Sequence, residues 1–314
     1  MIFSLSERFI DSVPPSQLSD LVSEIVRHEH YISVSGTASQ KLMAAVEDNA
    51  STSQKELLRV YNGFSPSVDI QTYCTTVSDA AFPYDALLEM AKEPAVVLME
   101  NTREWVVYKK MIECYADDTD YGNLFKMLKR AADKPELLKP VKSGGCGEML
   151  QSLTDFMTTG YAHALEEKVY LVFDRDTTSA GSFDSNKKRL FIRLTGKKFN
   201  KLSNADVYSL SQPGFVWHMW YRRELENYFP DSVFLRCKFK RKAGMPPFEK
   251  DHYADVKDYY APNKQAEKRL KNAFPALSAQ MDKALFEQDQ QVFPIDGKSL
   301  GEIKLFLLKM IKVV

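Results

Sequence analysis

Val169-Tyr170-Leu171-Val172-Phe173-Asp174-Arg175-Asp176 is the stretch that decides the fold. Five consecutive apolar residues, β-branched and aromatic among them, suit a strand buried on both faces, and such strands belong to parallel sheets. A second run of the same kind, Val96-Val97-Leu98-Met99, ends in Glu100. Open parallel sheets place their chemistry just beyond the carboxyl ends of their strands, so Glu100, Asp174 and Asp176 fall where an active site is expected. On an extended backbone Asp174 and Asp176, two residues apart, leave the same face. With Glu100 from a neighbouring strand they predict a three-carboxylate cluster, which repels itself unless a cation is held there. Hard oxygen ligands with water-filled positions suit Mg²⁺ or Mn²⁺. The expected chemistry is metal-dependent phosphoryl transfer.

At 314 residues with 44% apolar content, the chain has enough material for one large or two modest cores. Its 42 basic and 42 acidic residues balance, yet residues 1–93 carry 6 Lys/Arg against 13 Asp/Glu. An acidic front is set against a basic remainder. Cysteines at 74, 114, 146 and 237 show no close pairing, which argues against a zinc ribbon or a disulfide framework and points to a reducing cytoplasm. No basic start with an apolar core marks a signal peptide, and no apolar run approaches the ~20 residues that span a bilayer, so no membrane partner is expected.

Residues 1–93 read as a mainly helical lobe. Leu18, Leu21, Val22, Ile25 and Val26 recur at helical spacing, Ser53 and Glu56 form a capping box ahead of Leu57, Leu58 and Tyr61, and Pro83 opens a helix near Tyr84–Lys92. From residue 94 strand and helix alternate. Thr102 caps a helix with the stripe Tyr108, Met111, Ile112 and Tyr115; a short strand near Val141 runs into Gly144-Gly145; Met149, Leu150, Leu153, Phe156 and Met157 mark the next helix. Residues 177–214 are long and polar for a crossover and read as an insertion with a strand at Leu190–Leu194. Phe215–Trp220 is the fourth core strand, and 232–314 form a mixed, largely helical region whose last helix carries Leu300, Ile303, Leu305, Phe306, Leu307 and Ile311 for the core or a homodimer interface.

Four features in order, Glu100 at a strand end, Gly144-Gly145, the Asp174-Arg175-Asp176 pair and Arg222-Arg223-Glu224-Leu225-Glu226-Asn227-Tyr228, resemble the Toprim (topoisomerase–primase) domain over about residues 94–231. The likeness is to the nuclease branch typified by the OLD family. It implies a Rossmann-like parallel sheet flanked by helices. Toprim proteins usually follow the strand-end Glu with Gly, and here Asn101 stands in that place. The resemblance makes Glu100, Asp174, Asp176 and Glu226 catalytic, adds Glu104 and Glu224 as further metal ligands, and offers Lys298 as the late lysine that stabilises phosphate charge. An ordinary helix-start acid is the competing reading for Glu100 and Glu104, a strand-to-loop turn for Asp174 and Asp176, and a surface lysine for Lys298.

Two basic runs flank these motifs: Lys187, Lys188, Arg189, Arg193, Lys197, Lys198 and Lys201, then Arg236, Lys238, Lys240, Arg241 and Lys242. With Phe191, Phe199 and Phe239 interleaved, they predict sequence-independent contact with a nucleic-acid backbone; a solvated face is the alternative. Arg222 and Arg223 either neutralise a phosphate or pair with the adjacent glutamates. Gly297-Lys298-Ser299 is no P-loop, because Val292 stands where the first glycine is required; Ser299 and Glu302 instead read as a capping box. His28, His30, His163, His218 and His252 lack metal-ligand spacing and read as structural.

The function expected is a Mg²⁺- or Mn²⁺-dependent nuclease acting on DNA or RNA. OLD nucleases carry an ABC-type ATPase ahead of Toprim, and this chain has no P-loop, so the resemblance extends to the stand-alone Toprim effectors of PARIS-type anti-phage systems. A separate ABC-type ATPase is then the expected partner, with the acidic lobe as its docking surface. The competing function is a non-catalytic Toprim scaffold that binds nucleic acid or proteins.

Overall fold

The acidic front begins not with a helix but with a strand. In the computed structural model, which describes residues 1–52, 55–56, 66–158, 164–177, 183–212, 214–248, 251–260 and 263–314, β1 (Ile2–Ser4), β2 (Tyr31–Ser33) and β3 (Thr76–Ser78) form a parallel sheet in the order β2-β1-β3. Each strand is three residues long, too short for an apolar run to register as a strand. The helices expected here are present: Pro15–Arg27 buries Leu18, Leu21, Val22, Ile25 and Val26, and Tyr84–Lys92 follows Pro83. These faces meet Phe3, Ile32 and Val77 in a core of their own. The capping box at Ser53, with Leu57, Leu58 and Tyr61, lies outside the described residues, as does His163.

The second sheet is parallel, in the order β5-β4-β6-β7: β4 is Ala95–Met99, β5 Leu138–Lys142, β6 Val169–Phe173 and β7 Val216–Met219. β4 and β6 lie side by side in the middle, with Met99 opposite Val172, and every residue of both is buried. That burial explains their unbroken apolar runs. Between β4 and β5 run the helices Trp105–Tyr115 and Gly122–Ala132, and Cys146–Phe156 precedes β6. The fold is α/β, with parallel sheets flanked by helices.

Two assignments are corrected between β6 and β7. Leu190–Leu194 is not a strand but part of the helix Ser185–Thr195, begun by Asp184, whose side chain accepts from Lys187 N, and ended at Gly196 in the left-handed conformation. Leu190, Phe191 and Leu194 are buried, so this segment is a crossover helix packed on the sheet rather than a polar insertion. The apolar positions fit either period over so short a window.

At the far end, β8 (Val292–Ile295) and β9 (Lys298–Gly301) form an antiparallel hairpin, followed by the helix Glu302–Val313. Ser299 lies within β9 and cannot cap that helix; Gly301 is its N-cap. The helix is buried almost throughout, including Lys309, whose Nζ donates to the carbonyls of Val207 and Trp217, so it completes the core. The four cysteines are free thiols. Among the described residues no helix is long and apolar enough to cross a membrane.

Candidate active site

The carboxyl ends of β4, β6 and β7 converge because main-chain hydrogen bonds stitch the loops that follow them. Ser143 N donates to Met99 O at 2.8 Å and Gly144 N to Glu100 O at 3.2 Å, fastening the loop after β5 to the end of β4. Gly144 has φ +80°, the left-handed region that favours glycine, and a Cβ there would displace the Glu148 carboxylate from its bond with Gly145 N. On the other side Trp220 N donates to Phe173 O and Asp176 N to Arg223 O. The Arg222–Tyr228 segment is thereby laid against the loop that carries the aspartates.

Asp174 and Asp176 do not leave one face as an extended pair would. Asp176 has φ +50°, a left-handed conformation that Asp tolerates better than most residues, and its side chain is 44% exposed. Asp174 turns inward, accepting from Leu225 N at 2.9 Å. Arg175 between them points away: Nη1 donates to Tyr221 O at 3.2 Å and the guanidinium packs over Phe183, Tyr221 and Tyr253. It holds the loop together.

Lys187, expected to meet a phosphate at the surface, is buried instead. Its Nζ donates to Asp174 O at 2.5 Å, Arg175 O at 3.0 Å and Asp176 Oδ2 at 3.0 Å, so this ammonium organises the aspartate loop from beneath. Burial works against its charge, but Asp176, by its charge and its hydrogen bond, more than offsets that and the Lys187 pKa is raised. Arg222 is likewise buried, bonded to Asn227 O and Asp289 O and lying over the Tyr228 ring. It is structural. Arg223 pairs with Asp255 at 2.9 Å.

Glu100, Glu104, Asp174, Glu224 and Glu226 are each pushed upward by burial and by the charges of neighbouring carboxylates. Burial first, then the Asp176 charge, pushes Glu100 up to about 7; burial and Glu100 push Glu104 up to about 8; burial and Glu224 push Glu226 up to about 7. Asp174 is raised well above the carboxylate range by burial, then by Glu100, Glu104, Glu226 and Asp176. Glu224 is raised by burial, which outweighs its bond to Lys257 at 2.7 Å. Tyr108 donates to Glu104 Oε2 at 3.0 Å, and the Cys146 thiol lies 4.0 Å from Glu100 Oε1. Asn101, extended rather than left-handed, accepts from Arg103 N and takes the capping role expected of Thr102.

The donor set fits a hard divalent cation: carboxylate oxygens only, costly to ionise together, with Glu224 Oε2 buried and without a hydrogen-bond partner. As the side chains stand, Glu104 is bonded to Tyr108, Asp174 to Leu225 N, Asp176 to Lys187 and Glu224 to Lys257, and among the described residues no three Asp, Glu, His or Cys side chains form a ready metal cage.

Several residues lie apart from this cluster. Lys298 is exposed on β9 and its charge falls on Tyr73, not on the carboxylates. The lysines that do reach the acids are Lys187 and Lys257. Lys188, Arg189, Arg193, Lys197, Lys198 and Lys240 are exposed. Lys197 is paired with Asp206 at 2.8 Å, and Arg241 with Asp231 at 2.9 Å. Phe191 and Phe239 are buried in the core rather than offered to bases, and the Phe199 side chain lies outside the described set.

Sequence reasoning missed Glu302. Fully buried, it accepts from Tyr228 OH at 2.5 Å and Tyr221 N at 2.7 Å, and meets His218 Nε2 at 3.2 Å. Burial holds His218 down at about 4, so the ring is neutral. Glu302 therefore braces both ends of the segment that carries Glu224 and Glu226. The signal was an acid at the head of a helix whose remaining residues are apolar apart from Lys304, Lys309 and Lys312.

No family model, curated protein or solved structure matches the chain.

Proposed function

We propose that the chain is a Mg²⁺- or Mn²⁺-dependent nuclease with a Toprim core of the OLD-like branch. One observation carries the reading: the three segments that follow β4, β6 and β7 supply six acids at one end of the sheet, where burial and neighbouring carboxylates push Glu100, Glu104, Asp174, Glu224 and Glu226 upward. Structural carboxylates seldom gather without cations to balance them. Glu100, Asp174, Asp176 and Glu226 would hold the ion, with Glu104 and Glu224 beside them. When bound, a divalent ion supplies an activated water and stabilises charge on the leaving oxygen of a phosphodiester. The chain's own groups prepare the site: Lys187 fixes the aspartate loop, Leu225 N orients Asp174, and Tyr108 orients Glu104. The exposed cations on the helix Ser185–Thr195 supply a phosphate-binding face next to it.

A phage-defence effector working with a separate ABC-type ATPase is the system-level form of this proposal, with the acidic front as docking surface. It rests on resemblance and on charge. Incubating purified protein with plasmid and with total RNA, in Mg²⁺, Mn²⁺ or EDTA, tests the core claim. Cleavage with either metal and none in EDTA is expected; intact substrates under all conditions would refute it. A non-catalytic nucleic-acid scaffold is the second reading, favoured by the pairs Lys187–Asp176 and Lys257–Glu224, which balance two acids without a metal. Under that reading the same protein binds nucleic acid and cuts nothing.

A further inference from the structure

The front sheet carries a cavity that the acid site does not use. Its three strands end in register on serine: Ser4 lies opposite Ser33 on β2 and opposite Ser78 on β3. β1 is central, the chain passing first to one side of it and then to the other, so the carboxyl edge is a topological switch point, where open parallel sheets leave a crevice for ligands. That crevice is present, with a volume of about 770 Å³. Its size falls within the range of small-molecule sites.

Its lining sorts by chemistry. Arg8 is exposed, and among the described residues it forms no ion pair. Ser35, in the cavity lining, is the N-cap of the helix Gly36–Asn49, and its side chain makes no capping bond. The hydroxyls and the guanidinium together favour a phosphate. Phe9 and Val34 supply an apolar wall. Asp79 accepts from Ser6 N at 2.7 Å and Ser6 Oγ at 2.6 Å, which leaves lone pairs on both oxygens for further donors such as a sugar diol. Anion site, apolar wall and diol acceptor occur together in one crevice.

We infer that this cavity binds a nucleoside phosphate, its phosphate toward Arg8 and Ser35 and its base against Phe9 and Val34. The inference is independent of cleavage at the acid cluster.

The test is isothermal titration calorimetry of the full chain with ADP, adenosine and inorganic phosphate, in EDTA so that no divalent ion recruits nucleotide to the carboxylates. ADP should bind at one site per chain, with adenosine and phosphate each at least about tenfold weaker, since each carries only part of the recognition. Arg8→Ala should weaken ADP about tenfold and Arg8→Lys should recover part of that loss; Arg8 is exposed, so neither change disturbs the core. Ser78→Leu, which fills the crevice, should abolish binding, and the Arg8 pair decides the matter if that variant does not fold. The absence of ADP binding at millimolar concentration would overturn the inference. So would ADP binding that Arg8→Ala leaves unchanged.

Discussion

Lys187 Nζ lies 3.0 Å from Asp176 Oδ2 with the lysine side chain only 1% exposed, so a buried cation anchors one of the two aspartates on which the site depends. The same ammonium also bonds two main-chain carbonyls of that loop. Lys187→Met should therefore cost about 2–4 kcal/mol in denaturant unfolding, because three charge-assisted bonds are lost while their acceptors stay in place. Metal-dependent cleavage should fall with it, by 100-fold or more. Unchanged stability would show that the bonds contribute nothing to the loop.

Stability of the metal-free protein should fall as pH rises through the cluster's titration. Glu100, Glu104 and Glu226 are pushed up to about 7, 8 and 7, burial being the largest cause. Between an unfolded carboxyl pKa of about 4.3 and these values the folded chain holds more protons than the unfolded one, so the contribution is full below that window and lost by about pH 8. In EDTA the parent Tm should drop from pH 5 to pH 8 more steeply than that of Glu226→Gln, which removes one of the groups that ionise in this window. At pH 8 the variant should melt a few °C higher. Parallel curves would mean that Glu226 does not ionise in this window.

Charge reversal at Lys188 and Arg189, exposed on the outer face of the crossover helix, should weaken nucleic-acid binding equally across sequences. Each lost contact should lower the slope of log K against log salt by roughly one. A solvated face would leave affinity and slope unchanged. These positions are cleaner probes than Lys197, whose replacement also breaks its pair with Asp206.

Glu302→Gln should destabilise the protein by about 1–3 kcal/mol, since a buried carboxylate that accepts from Tyr228 and Tyr221 is replaced by an amide of similar shape. Chemical denaturation measures it. A change below about 0.5 kcal/mol would show that Glu302 is not the brace of the β7 loop.

The central sheet was legible because burial on both faces writes itself into sequence as the unbroken runs 96–99 and 169–173. The acids beyond them were legible for the same reason, since a charge directly after such a run has to lie at its end. The front sheet was not, because strands of three residues such as Ile2–Ser4 carry no period. Lys187 was misread because its neighbours Lys188 and Arg189 are exposed and only the tertiary fold turns one of these three cations inward. Glu302 and Lys257 reach the site from the distant C-terminal region, and no local pattern records contacts across 74 or 33 residues.

Crystals soaked in Mn²⁺ and measured for anomalous scattering address the central claim most directly. The account predicts a Mn²⁺ peak at the carboxyl ends of β4 and β6, bounded by the carboxylates of Glu100 and Asp174, and its loss in Asp174→Ala crystals. Soaked crystals without a peak there, or with an equal peak in Asp174→Ala, would contradict it.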